Sequence, residues 1–214
     1  MIVCGLDEAG RGPMVGPLVV GAVWSTDPET LRQIGARDSK QLSPHKREML
    51  YDEIAGTADH WEVVYVSAQE LDARMQRFNL NEVEMRMFAE AALRSPCDLV
   101  QVDCPEVNTR RFGLELSSMI NGIEVDAENK ADALFPCVSA ASIMAKVTRD
   151  RMIEDIKAEL GVDVGSGYPS DPVTRDYVET WINKHHSLPP HARGTWKPVR
   201  DLLVKRPAKT LDDW

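Results

Sequence analysis

Apolar residues fall into short runs separated by glycine- and proline-rich turns, and the spacing within each run predicts its element. Residues 2–6 and 15–24 read as two strands joined through Gly10-Arg11-Gly12-Pro13, a hairpin-like start. Ser43-Pro44 predicts a helix with Ser at the N-cap and Pro at the first position, running to about residue 54. Residues 61–66 predict a third strand, after which Ser67 caps a short helix. Asn79 or Asn81 opens a longer helix in which Val83, Met87 and Ala91 form an apolar stripe, widened by Phe88. Leu99-Val100-Gln101-Val102 predicts a fourth strand that delivers Asp103 to its end. A helix at 109–119, a fifth strand at 122–125 and a long helix of small residues at 135–160 follow. The chain closes on helices at 172–184 and 196–204, with a proline-rich turn at 188–191 between them.

Consecutive strands, then alternation, then an all-helical end predict an α/β fold around a mixed five-stranded sheet flanked by helices, rather than a doubly wound one. The division expected is a sheet-bearing domain over residues 1–160 and a helical subdomain with a tail over 161–214.

With 214 residues, 43% hydrophobic and 28% charged, the chain can bury a substantial core. Cysteines at 4, 97, 104 and 137 form no CxxC pair, which suggests a reducing, cytoplasmic setting. The longest apolar run falls far short of the ~20 residues that cross a bilayer, and Asp7 follows Met1 too closely for a signal peptide. The net charge of −9 is unevenly placed. Residues 183–209 hold seven Lys/Arg against Asp201 alone, a net +6, while the first 182 residues carry −13. A basic end beside an acidic body suits an anionic polymer at one and cations at the other, although a solvated terminal helix would read the same way.

Asp7 and Glu8 sit where a strand meets a glycine turn, Asp103 ends another strand, and Asp132 precedes the long helix. Carboxylates gathered at one sheet edge repel one another and need a compensating cation. Hard divalent ions take oxygen ligands, and a pair of them can activate water for phosphodiester hydrolysis. Singly, Asp132 also reads as a helix N-cap and Asp103 as a turn former. Neighbours on a strand face opposite ways, so Asp7 and Glu8 share a site only if Glu8 has left the ladder. Gly10-Arg11-Gly12 places two residues without Cβ around a bidentate phosphate donor, or is simply a tight turn. Neither GxGxxG nor GxxxxGK[ST] occurs.

Taken together, the stretch Gly5-Leu6-Asp7-Glu8-Ala9-Gly10-Arg11-Gly12-Pro13 resembles the opening signature of type 2 ribonucleases H, the ribonuclease HII family. Further matches follow in chain order: Asp38-Ser39-Lys40, Asp103, Lys130-Ala131-Asp132, the segment 138–150, Gly165-Ser166-Gly167-Tyr168-Pro169, and Arg193-Gly194-Thr195-Trp196 in an archaeal-like form. The resemblance implies a ribonuclease H-like fold and an endonuclease acting on RNA/DNA hybrids and on single ribonucleotides embedded in duplex DNA. Cleavage on the 5′ side of the ribonucleotide, leaving 3′-OH and 5′-phosphate ends, is implied with it. Asp7, Glu8, Asp103 and Asp132 match the family's metal-binding catalytic acids, served by two Mg²⁺ or Mn²⁺ ions. The element that reads the ribonucleotide 2′-hydroxyl falls on Gly10, Arg11 and Gly12, and the junction-sensing tyrosine on Tyr168. The 2′-hydroxyl is what marks RNA at a given position, and backbone groups in a glycine turn can reach it.

Lys40, Lys146, Arg149 and Arg193 are candidate phosphate contacts, with salt bridging along the helix an equal reading for Lys146 and Arg149. Ser139 and Ser142 either contact the nucleic-acid backbone or permit close helix packing. His185, His186 and His191 lack a suitable partner for zinc and read as surface residues. The C-terminus, with Leu211 and Trp214 three apart, is similar to a sliding-clamp-binding peptide, with Ala208 where that motif usually has Gln. Nothing in the chain demands more than a monomer.

Overall fold

The computed structural model describes residues 1–36 and 42–204. The Asp38-Ser39-Lys40 match and the clamp-peptide residues Leu211 and Trp214 lie outside the described residues.

Five strands form one mixed sheet in the order β3-β2-β1-β4-β5. They are β1 (Val3–Ala9), β2 (Leu18–Ser25), β3 (His60–Val66), β4 (Leu99–Asp103) and β5 (Glu124–Glu128). β1 pairs antiparallel with β2 and parallel with β4, which pairs parallel with β5. The helices are α1 (Pro28–Gln33), α2 (Pro44–Thr57), α3 (Ala68–Arg74), α4 (Leu80–Ala92), α5 (Thr109–Met119), α6 (Pro136–Leu160), α7 (Pro172–His185) and α8 (Lys197–Val204). None of the described helices is long and apolar enough to cross a membrane.

Local chemistry sets several boundaries. Ser43 accepts from the Lys46 N–H to start α2, as its sequence predicts. Ser67 with Glu70 and Asn79 with Glu82 form reciprocal capping boxes for α3 and α4. Asn79 rather than Asn81 is therefore the α4 cap, which leaves the Asn81 side chain for another task. Three strands have other bounds than expected. β1 runs past Leu6 to Ala9, and its partner begins at Leu18 rather than residue 15, because residues 10–17 leave the ladder as a loop starting at Gly10 (φ +91°). β5 starts at Glu124 rather than residue 122 because Gly122 (φ +80°) is still in the turn. The short α1 has no counterpart in the periodicity.

Alternation in β1 assigns its faces. Cys4 and Leu6 join the core beneath α4 and α5, where Phe88 and Phe112 meet edge to face. Val3, Gly5 and Asp7 face α6, which joins a second core with α1 and α2. A Cβ on Gly5 would lie 2.1 Å from the Cys137 carbonyl carbon, and one on Gly21 2.3 Å from the Ala141 oxygen. The small residues 139–142 of α6 are all buried, so the helix rests directly on the sheet. A third apolar cluster joins Met14 and Val15 to Ile153 and Ile156 of α6 and to Tyr177, Val178 and Val199 of the last two helices.

Candidate active site

Parallel pairing sets Leu6 of β1 beside Val102 of β4, so the next residues, Asp7 and Asp103, emerge together on the face covered by α6. Asp132 arrives from a single 3-10 turn (Ala131–Ala133) just before that helix. One carboxylate oxygen from each of Asp7, Asp103 and Asp132 lies within 4.8 Å of the other two. Asp103 accepts from the Ala131 N–H at 3.0 Å, tying strand end to turn. Asp132 is not a helix cap: the α6 N-cap is Phe135, and Asp132 is buried in front of the helix.

Burial, then the charges of Glu8 and Asp103 with a smaller push from Asp132, holds the Asp7 carboxyl well above the usual carboxylate range. A hydrogen bond from Ser142 works the other way. Ser142 is thus both small enough for close packing and a direct partner of the site. Three clustered carboxylates in a largely buried setting, offering oxygen only, fit a hard divalent cation better than any softer metal.

Glu8 has not left the ladder, where it pairs with Val20, yet its carboxyl comes within hydrogen-bonding reach of Asp7 beside the three-aspartate cluster. Its carboxyl is nevertheless raised, by burial first and then by Asp103, with Arg11 opposing. Glu8 Oε2 is buried without a hydrogen-bond partner, an acceptor left over beside that cluster.

The turn after β1 is tied down from two sides. The Arg11 guanidinium pairs with fully buried Glu84 and donates to Asn81 at 2.6 Å. Asn81 in turn donates to Glu106, which also accepts from Arg111. The phosphate fork expected at Arg11 is therefore already engaged by α4. Gly12 stands against Tyr168, with 4.0 Å between a built Cβ and its ring. Tyr168 is half-buried, with the Arg149 guanidinium 4.7 Å from its centroid and Lys146 at 6.0 Å.

Of the expected phosphate contacts, Lys146 is partly exposed and pairs with Asp150 at 2.6 Å, the intrahelical bridge that its spacing allowed. Arg149 and Arg193 are both buried. Arg149 is 1% exposed and donates to the Ser166 carbonyl at 2.8 Å. Arg193 is fully enclosed and donates to four backbone carbonyls. Both guanidinium groups hydrogen-bond within the protein. Burial, with repulsion from Arg149, brings Arg193 down to about 9, which leaves it charged at neutral pH. Among the described residues His191 lies 3.3 Å from Glu159 and His185 stacks on Trp181, and the three aspartates are the one acidic or metal-ligating group of three.

Glu84, Asn81 and Asp72 escape sequence reading. Asp72 accepts from Gly194 N at 2.6 Å and Thr195 N at 3.1 Å. The one available signal is Glu84 itself, an acid flanked by Val83 and Met85 on a helix whose apolar stripe is otherwise clean.

The ribonuclease HII family model matches residues 4–199. Ribonuclease HII of Pyrococcus furiosus is 44% identical over 219 residues, covering 99% of this chain and 97% of that protein. The solved PCNA:RNase HII complex from Archaeoglobus fulgidus is similar with a TM-score of 0.87 and 43% identity, covering 99% of this chain and 100% of that one. Ribonuclease H2 from Pyrococcus horikoshii superposes with a TM-score of 0.88 at 41% identity, covering 95% and 97%. Carboxylate cluster, glycine turn and full-length similarity agree: the chain belongs to the ribonuclease HII family, metal-dependent endonucleases of RNA/DNA hybrids.

Proposed function

We propose that this enzyme hydrolyses the phosphodiester on the 5′ side of ribonucleotides, both in RNA/DNA hybrids and where a single ribonucleotide is embedded in duplex DNA, leaving 3′-OH and 5′-phosphate ends. The observation that carries this reading is the meeting of Asp7, Asp103 and Asp132, with Asp7 on the strand that leads into the Gly10-Arg11-Gly12 turn. Asp7 and Asp103 would hold the divalent ions, two in the active complex and either Mg²⁺ or Mn²⁺, and Asp132 with Glu8 would complete the shell. When bound, such ions activate water and neutralise charge developing on the scissile phosphate. Glu8 would bring a buried carboxylate oxygen, Oε2, that has no hydrogen-bond partner.

Ser142 holds Asp7 in place, and the Asp103 bond to Ala131 N–H fixes the strand end against the turn that carries Asp132. Gly10 and Gly12 let backbone groups approach the 2′-hydroxyl, while the Tyr168 ring, propped from behind by Arg149, takes the sugar of the adjoining deoxynucleotide. Lys146 and Lys40 supply phosphate contacts, and the basic residues 183–209 add salt-sensitive affinity for the duplex.

The test is cleavage of a DNA duplex carrying one ribonucleotide, with Mg²⁺, Mn²⁺ or chelator, beside an all-DNA control. Metal-dependent cutting on the 5′ side of the ribonucleotide alone is the expected result. Cutting of the control, or silence with every metal, would refute it.

A sliding clamp is the proposed protein partner, through Leu211 and Trp214. The Archaeoglobus relative was solved with PCNA, and the tail spacing here is similar to a clamp-binding peptide. Clamp pull-down by the full chain and by a chain ending at Pro207 decides this: equal capture would sink it.

A further inference from the structure

Residues 10–17, the loop between β1 and β2, cannot close on their own backbone. Gly10 and Arg11 at the entry and Gly16 and Pro17 at the exit aim their carbonyls at one point inside the protein. Arg193, from the segment between α7 and α8, occupies that point. Its guanidinium donates to Gly10 at 2.7 Å, Pro17 at 2.8 Å, Gly16 at 3.0 Å and Arg11 at 3.3 Å. Backbone bonds repeat the connection: Arg193 N–H to Met14 O at 2.8 Å and Gly16 N–H to His191 O at 2.9 Å. On the other side Met14 N–H donates to Gly167 O at 2.7 Å, one residue before Tyr168. Loop, tyrosine and Arg193 segment are thus one stitched unit. Removing the cation would leave four inward-facing carbonyl dipoles buried and opposed, which only a shift of the loop can relieve.

We propose that Arg193 is the positioning residue of the substrate-reading turn: by gathering both ends of residues 10–17 it sets where the Gly10–Gly12 backbone stands against Tyr168, and so how strongly a ribonucleotide is preferred over a deoxynucleotide. This rests on the reading of that turn given under Proposed function. Arg193 itself, fully enclosed, never touches nucleic acid. The metal cluster does not depend on it, because Asp7 and Asp103 are placed by the β1–β4 register and by Ser142.

Arg193→Lys is the informative variant. An ammonium keeps the charge but lacks the planar fork that spans carbonyls at both ends of the loop. The experiment measures kcat and KM on a duplex with one ribonucleotide, and Ki of the matching all-DNA duplex as competitor. Thermal melts with and without Mn²⁺ accompany them. R193K is expected to raise KM roughly tenfold, the loss of about one charge-assisted hydrogen bond's worth of positioning. Ki should stay nearly constant, and the Mn²⁺-induced rise in Tm should be unchanged. Equal losses in KM and Ki, a fall in kcat with the KM-to-Ki ratio intact, or a ratio as in the wild type would each overturn the proposal. Should R193K not fold, Asp72→Ala substitutes for it, since Asp72 holds Gly194 and Thr195 from outside the unit. D72A must move the same ratio in the same direction, and an unchanged ratio there overturns the proposal. A wild-type enzyme with no preference between the two duplexes would remove the reading of the turn and this proposal with it. Preference kept in wild type and variants alike removes the proposal alone.

Discussion

Asp103→Asn separates the catalytic from the structural account of the aspartate cluster, because the two predict opposite changes in stability. With carboxylate oxygens within 4.8 Å of one another, one fully ionised pair repels by about 3.5 kcal/mol at an effective dielectric of about 20. Asp7 answers by keeping its proton to higher pH, so the relief at neutral pH is a fraction of that figure, about 1–2 kcal/mol. Asparagine retains Oδ1, so the bond from Ala131 N–H survives. Metal-free D103N should therefore melt roughly 2–8 °C above the metal-free wild type. The same variant should cut nothing and lose most of the stabilisation by Mg²⁺ or Mn²⁺, which for the wild type is about 2.7 kcal/mol at a hundredfold excess over Kd. The pH dependence has a definite sign. An acid whose folded pKa is raised binds its proton more tightly when folded, so wild-type stability falls as pH climbs from about 3.9 through the raised Asp7 value. D103N flattens that slope. Calorimetry in chelator across pH, then with metal, and the ribonucleotide-duplex assay read all of this out. A metal-free D103N that melts below wild type, or one that still cleaves, would refute the reasoning.

Gly5→Ala should cost roughly 3 kcal/mol or more, since its Cβ meets α6 backbone rather than a movable side chain; a urea midpoint equal to wild type would contradict the close-packing account. Glu84→Gln removes the buried charge opposite Arg11 and should destabilise by about 1–3 kcal/mol in a thermal melt, with a parallel rise in KM as the turn loosens. Tyr168→Ala should raise KM about tenfold and Tyr168→Phe restore it, because the ring face rather than the hydroxyl meets the sugar; equal defects in both variants would argue for the hydroxyl. Duplex affinity should fall linearly on a log–log plot against salt, and neutralising Lys146 should reduce that slope; an unchanged slope removes Lys146 from the phosphate contacts.

Much of this architecture is legible in local pattern. Ser43-Pro44, Ser67 with Glu70, and Asn79 with Glu82 start their helices through bonds reaching three residues along the chain, and those are visible without a fold. The apolar runs announce the strands, and Asp7 and Asp103 follow directly on two of those runs. Boundaries were less accessible. β1 continues through Asp7 and Glu8 because β2 pairs with it there, and α1 has too few periodic residues to register.

What the sequence by itself determined was the residue inventory and its spacing: the acids Asp7, Glu8, Asp103 and Asp132, the glycine turn, and the order of elements that delivers them. What only the tertiary structure decided was which groups meet. Register places Asp7 beside Asp103 and keeps Glu8 in the ladder against Val20. Burial encloses Arg149 and Arg193, and Glu84 captures Arg11 across 73 residues. The reason is one of distance along the chain. Caps and periodicity act within a turn or two, whereas charge pairing and enclosure depend on contacts that exist only after the sheet and α6 have closed on each other.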